Sequence, residues 1–251
     1  MVGYILAVLV GLALGSFLNV VITRLPQGEP VLAGRSRCPQ CRHPIPWYDN
    51  LPIISFFWLK GRCRFCQAKI PGRYPAVELA GGLLALGLWA RFPADPVLIA
   101  YGPFAAALVA LTGLDVEHRW LPDIITLPGI VLGLIGALIL PHLSFSQALA
   151  GAALGAIFFQ TIRWVYEKAT GRQGLGGGDV KLLALIGAFL GPKSLPVVLL
   201  VSAGLGSLYG LRLARESGQG RLTPIPFGPF LGSAALFYLL AGPLLSRLLP
   251  Y

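Results

Sequence analysis

From Met1 to Thr23 the chain carries no charged side chain, and long uncharged stretches recur at 96–114, 124–141, 143–162, 194–211 and 222–246. Each has 18 or more residues, or reaches that length with its flank, as a helix needs to cross a hydrocarbon layer ~30 Å thick. Two shorter apolar stretches, 79–90 and 182–192, reach spanning length if they begin near Glu78 and Asp179, with that charge at the membrane boundary. A cleaved signal peptide has its positive charges ahead of its apolar stretch, whereas here they follow it. Residues 2–23 are therefore expected to be a retained first helix with its N-terminus outside.

Charge placement separates eight spans from six. With eight, 17 of the 20 Lys and Arg residues fall on the inside, and only Arg91, Lys193 and Arg247 face out. Without the two short spans the inside share drops to 13. Basic residues favour the cytosolic side of a membrane, so eight helices with both termini outside are expected. The composition agrees: 55% of residues are hydrophobic and 12% charged, against roughly 25% charged in a soluble domain. Mean hydropathy is +0.73. Disorder is excluded, because so apolar a chain does not stay solvated. A single soluble core is excluded, because too few polar residues exist to cover it. The net charge of +10 is then a topological signal, and no nucleic-acid partner is expected.

The fold expected is all-α: a polytopic membrane protein with about eight transmembrane helices and a small zinc-ribbon-like cytosolic loop. Its parts are the first transmembrane helix (1–23), a cytosolic cysteine loop (24–74) and a seven-helix membrane core (75–251). No internal repeat is evident.

Cys38-Pro-Gln-Cys41 and Cys63-Arg-Phe-Cys66 are two C-x-x-C knuckles with 21 residues between them. Each knuckle presents two thiolates to one ion, and two knuckles complete a tetrahedral sulfur site. A reducing cytosol argues against disulfides. Four thiolates leave no open position for substrate or water, so a structural zinc is expected rather than a catalytic metal. A metal-free redox dithiol is the remaining alternative.

Only ten acids occur, and two clusters of them flank predicted spans. Asp115, Glu117 and Asp123 follow the third span, and Gly176-Gly177-Gly178-Asp179 opens the sixth. Ionisable groups at or within spans are costly and usually functional. Asp115 and Asp179, brought together from different helices, would share one proton, because like charges a few ångströms apart do not both ionise cheaply. The ionised member then activates water while the protonated one polarises a scissile carbonyl. That is the chemistry of an aspartic protease. Gly176 and Gly178 would let the backbone pass close to a neighbouring helix or a substrate strand. The alternative for Asp179 is a favourable position in a helix dipole; a negative charge at a helix C-terminus, as at Asp115, is unfavourable. Asp123 is expected to cap a helix or touch substrate. A proton-coupled transporter also places acids on facing helices, though nearer the bilayer midplane, and a non-enzymatic membrane assembly factor is a further alternative.

The chain resembles the type IV prepilin leader peptidase/N-methyltransferase family, whose members are G-x-G-D intramembrane aspartyl proteases. The resemblance covers nearly the whole chain. It rests on Gly15-Ser16-Phe17-Leu18-Asn19-Val20-Val21-Ile22 with Arg24-Leu25-Pro26, the two knuckles, Trp47-Tyr48-Asp49-Asn50, and Arg73-Tyr74-Pro75 with Val77-Glu78-Leu79. The Asp115 segment, Gly176-Gly177-Gly178-Asp179 and Ile225-Pro226-Phe227-Gly228-Pro229-Phe230 complete it. The resemblance implies a bacterial inner-membrane enzyme with Asp115 and Asp179 as catalytic aspartates and Gly176 and Gly178 as the motif glycines. Its implied substrates are prepilins and type II secretion pseudopilins, whose short basic leader is cut after a Gly on the cytosolic side. The new N-terminal residue is then methylated from S-adenosylmethionine, and Gly61 aligns with a glycine implicated in that step. Peptidase activity alone, with a purely structural cysteine loop, is the narrower alternative. No motif identifies the residues that bind the methyl donor, and no dinucleotide fingerprint follows a strand.

A basic leader is not drawn to a basic inner face by bulk charge. The substrate's apolar helix, lying in the bilayer, is expected to supply affinity, with Asp49, Glu78, Glu117 and Asp123 offering local pairing. Asn19 is expected to make an interhelical hydrogen bond or, alternatively, to touch substrate backbone. Trp47, Tyr48 and Trp120 read as interface anchors, and Pro224, Pro226 and Pro229 as a rigid entry to the last span. His43 and His118 receive no role.

Overall fold

The structure is a computed structural model that describes residues 1–171, 174–217 and 225–248. Arg172, Arg221 and Pro224 lie outside the described residues, as does the side chain of Arg247. Among the described residues every regular element is helical apart from two isolated β-bridges. The chain divides into two compact units, Met1–Asp95 and Pro96–Tyr251.

In the first unit, α1 (Val2–Arg24) is apolar on every face and ends on Arg24. A short helix, α2 (Ile54–Trp58), lies within the loop, and α3 (Arg73–Arg91) follows it. α1 and α3 pack through small residues. A Cβ on Gly15 would sit 2.6 Å from the Cα of Glu78, and one on Gly81 would strike the Gly11 carbonyl. With no hydrophobic effect between helices in lipid, such close backbone approach supplies the dispersion contact that joins them.

The loop between these helices holds a repeat that the sequence reading did not find. Residues 36–46 and 61–71 share one backbone pattern at an offset of 25. Cys38 N–H donates to His43 O, Arg42 N–H to Cys38 O and Ile45 N–H to Ser36 O. Cys63 N–H donates to Ala68 O, Gln67 N–H to Cys63 O and Ile70 N–H to Gly61 O. The bridges Arg37–Pro44 and Arg62–Lys69 close the two copies, and Arg42 and Gln67 share a φ of 57°. Arg-Cys-x-x-Cys with Ile-Pro four residues on recurs in both; the repeat is short and its intervening residues differ, so it escapes a scan for long periods.

The second unit contains α4 (Leu98–His118), α5 (Asp123–Gly136), α6 (Phe145–Thr170), α7 (Gly177–Leu190), α8 (Ser194–Ser217) and α9 (Gly228–Leu248). α7 is its centre. Its residues Leu182 to Phe189 are all buried, and it packs against α5, α6, α8 and α9. Gly151 of α6 and Gly187 of α7 meet backbone to backbone, and a Cβ on either would overlap the other's carbonyl. Phe104 of α4 stacks on Phe189 of α7 with centroids 4.5 Å apart. α6 begins with a capping box in which Ser144 and Gln147 satisfy each other's backbone N–H groups.

Eight helices of 14 or more residues are therefore present among the described residues, in the predicted order. Four segments, Val2–Gln27, Leu98–His118, Phe145–Thr170 and Ser194–Arg215, are long and apolar enough to cross a membrane. α5 stops at Gly136, short of the expected 141, because residues 137–139 form a turn ahead of Pro141. α5 and α7 have 14 residues each, about 21 Å of rise, less than the ~30 Å hydrocarbon thickness.

Candidate functional site

The second unit buries two carboxylates from different helices. Asp115 lies in the last turn of α4 and is 6% exposed. The backbone N–H of Gly228, at the start of α9, donates to its Oδ2 at 2.9 Å. A Cβ on Gly228 would stand 2.7 Å from that oxygen, so only glycine allows this approach. Asp179 is the third residue of α7 and is 9% exposed. Its Oδ1 is buried with no hydrogen-bond partner, and its charge is within electrostatic reach of Asp115. A buried polar atom without a partner costs roughly 1–3 kcal/mol, a cost expected where a substrate or water is to bind.

The glycines around Asp179 are packed, not merely flexible. A Cβ on Gly176 would come within 3.1 Å of Asp179 Oδ2, and one on Gly178 within 2.7 Å of Leu121 Cβ. The N-cap residues of α5 and α7, Pro122 and Gly176, provide no side-chain cap, while the Gly176 backbone N–H donates to the Asp179 carboxyl group. Asp123 pairs with Lys181, Nζ to Oδ1 at 2.5 Å, on an exposed surface. Glu117 lies 3.8 Å from His118 Nε2. Gly228, against Asp115, and Leu121, against Gly178, are residues that sequence reasoning did not single out for the site. The available signal was a glycine at the start of a span, just before Pro229, since N–H groups of a first helical turn are free to donate.

In the first unit the Sγ atoms of Cys38, Cys41, Cys63 and Cys66 all lie within 4.8 Å of one another. Cys38 Sγ and Cys66 Sγ are 3.8 Å apart. Four sulfurs at ~2.3 Å from a central ion would be separated by about 3.8 Å, so this donor set fits a tetrahedral metal site. The backbone N–H of Cys66 is the main influence lowering the Cys63 thiol to about 7, which makes the ligating thiolate accessible near neutral pH. Gly61 opens the second knuckle at φ 67°, in the left-handed region, with its Cβ direction 3.2 Å from the Phe56 ring.

Beside the knuckles, α1 and the start of α3 border an open cavity of about 1200 Å³, counting the solvent at its mouth. Asn19, buried in its wall, donates from Nδ2 to Tyr74 O at 3.0 Å and so links α1 to α3. Its Oδ1 is buried with no partner. Glu78, also buried in the wall, accepts the Ile53 N–H at 2.7 Å and the Ser16 hydroxyl. Asn19 thus lies in the unit that carries the cysteines, and Asp115 and Asp179 in the other.

Comparison with known proteins was consistent across the chain. Residues 9–92 match the bacterial peptidase A24 N-terminal domain, and residues 102–211 match the type IV leader peptidase family. A prepilin leader peptidase/N-methyltransferase of Aeromonas salmonicida is 39% identical over 96% of this chain and 92% of the relative. Proteins of the same name from Burkholderia pseudomallei and Pseudomonas aeruginosa are 40% and 35% identical, over 92% and 96% of this chain and 84% and 91% of their own lengths. No solved structure matches. A relative this similar over nearly the full length of both chains leaves one conclusion: the protein belongs to the type IV leader peptidase family.

Proposed function

We propose that the protein is a membrane-embedded aspartic endopeptidase of the bacterial inner membrane that removes the short basic leader of type IV prepilins and type II secretion pseudopilins after a Gly, and N-methylates the residue so exposed. The placement of the basic residues supports eight membrane crossings, with the active site and the cysteine loop on the cytosolic side. The observation that carries the peptidase is the burial of Asp115 and Asp179 within electrostatic reach of one another, each with a backbone donor and Asp179 with one oxygen left bare.

In this reading Asp115, which accepts the Gly228 N–H, is the ionised partner and takes a proton from water. The water oxygen attacks the scissile carbonyl carbon while Asp179 gives its proton to the carbonyl oxygen. The tetrahedral diol then collapses. The C–N bond breaks, Asp115 passes its proton to the leaving nitrogen, and Asp179 recovers one from a diol hydroxyl. Gly178 lets α7 approach Leu121, and Gly176 leaves room for the Asp179 carboxyl group. Glu117 and Asp123 offer pairing to a basic leader, Asp123 by exchanging its Lys181 partner.

The Cys38, Cys41, Cys63 and Cys66 cluster holds a structural Zn2+ that staples a loop too small to fold alone. Bound S-adenosylmethionine supplies a methyl carbon that leaves a sulfonium sulfur, which keeps the bonding pair, and joins the free amine, whose proton is released. Gly61 acts in methylation through the second knuckle it opens.

The test is to incubate the purified protein with a prepilin and S-adenosylmethionine and to weigh the products. Loss of the leader and gain of one methyl group are expected. Asp115→Ala and Asp179→Ala are expected to retain the fold while cleavage falls by roughly 10²–10⁴-fold. Near-normal processing by either variant removes the dyad assignment. Leader loss with no methylation reduces the protein to a peptidase, and transport without cleavage would point to the transporter.

A further inference from the structure

We propose that the cavity between α1, α3 and the two knuckles is the binding site for the methyl donor, a zwitterionic sulfonium nucleoside, with Glu78 facing its positive sulfur and Asn19 Oδ1 accepting one of its N–H or O–H groups. The inference rests on the methylation reading above and adds the site to it.

Three features converge. Two acceptor side chains are buried in the wall. Asn19 Oδ1 is buried without a partner, in a residue only 2% exposed, and Glu78, lining the same cavity, is 8% exposed. Glu78 is held by an N–H and a hydroxyl, with no cation paired to it among the described residues. A buried carboxylate lacking a cation is costly, and a cationic ligand relieves that cost while an added neutral one does not. The rim has the opposite character: Arg37 and Lys69 are exposed there. Acid and amide within, and cations at the mouth, complement a ligand bearing a sulfonium and an ammonium at one place and a carboxylate at another. Finally, the same cavity is bordered by both knuckles, including Cys38 and Cys63. Metal binding would therefore set the shape of its wall, giving the cysteine cluster a direct route to methylation without a catalytic metal.

Two measurements test the proposal on the full-length protein in detergent. In the first, radiolabelled S-adenosylmethionine is cross-linked by ultraviolet light to the wild-type protein, and the labelled peptides are mapped. Label within residues 16–78, displaced by excess unlabelled donor, is expected. Displaceable label within 96–251 overturns the proposal. In the second, equilibrium dialysis compares S-adenosylmethionine with its neutral thioether product in wild type and Glu78→Gln, which keeps an oxygen for the Ile53 N–H. Wild type is expected to prefer the cationic donor, and the variant to lose about tenfold in donor affinity with a smaller loss for the thioether. Unchanged metal content shows that the variant's loop is folded; should Glu78→Gln lose its metal, Lys69→Ala at the exposed rim is used, with at least a threefold loss of donor affinity expected. Donor affinity equal to wild type in a folded variant overturns the site and leaves the methylation reading standing. A wild-type protein that neither binds nor uses the donor overturns both.

Discussion

The two units solve the same packing problem with glycine and then treat buried acids differently. In the first, Gly11 and Gly15 of α1 meet Gly81 and Glu78 of α3; in the second, Gly151 of α6 meets Gly187 of α7. Both bury carboxylates on apolar helices. Glu78 is taken up by donors from its own unit, the Ile53 N–H and the Ser16 hydroxyl. Asp115 receives one backbone donor, and Asp179 keeps a bare, buried oxygen beside it. A buried acid is therefore not a sign of hydrolysis by itself. Two buried acids within electrostatic reach of each other, with fewer donors than acceptors, leave hydrogen-bonding capacity for water and a peptide carbonyl. In the first unit the bare oxygen belongs to Asn19, an amide that carries no charge to move, which suits binding rather than proton transfer.

The sharpest way to break this comparison is at the glycine contact of the second unit. Gly187→Leu would drive a side chain into the Gly151 backbone, where overpacking costs about 1–3 kcal/mol or more. Loss of leader cleavage with metal content retained is expected, measured on one preparation by product mass and metal analysis. Loss of both would show that the units do not hold their structures separately. Cys38→Ser acts in the other direction. Methylation is expected to fall about tenfold or more through loss of the metal, with cleavage changed less. Equal loss of both activities would mean that the loop only holds the protein together.

A finer test lies at Gly228. Gly228→Ala would crowd Asp115 Oδ2 and push away its N–H donor, a charge-assisted bond worth roughly 1.5–3 kcal/mol. Cleavage is expected to slow about ten- to a hundredfold, while methylation of a pilin already freed of its leader is unchanged. The smallest effect is expected at the exposed Asp123–Lys181 pair. Asp123→Asn is expected to alter stability by less than ~1 kcal/mol in a thermal melt. Asp123→Lys, assayed with leaders of different charge, is expected to slow the most basic leaders most. An equal response from all leaders removes selective pairing.

Much of this was legible in the chain because the signals are local. The charge-free run from Met1 to Thr23 and its later counterparts predict helices, and the described residues hold eight of 14 or more residues. The two C-x-x-C knuckles predict a four-sulfur cluster, since each knuckle's geometry depends on four adjacent residues and a turn. Helix length was less legible. α5 ends at Gly136 although its apolar run continues, because hydropathy does not record where the backbone turns. The knuckle repeat was missed because its likeness lies in backbone hydrogen bonds more than in side chains.

What the amino-acid order determined by itself was the class of protein, its helices, its sulfur cluster, and the position of Asp115 and Asp179 near helix ends. Only the tertiary structure decided that the Gly228 N–H reaches Asp115, that Leu121 covers Gly178, and that Asn19 and Glu78 share a cavity wall. Those outcomes depend on which helices become neighbours. In lipid that choice is made by close steric fit between distant glycines and side chains, which no stretch of neighbouring residues can state.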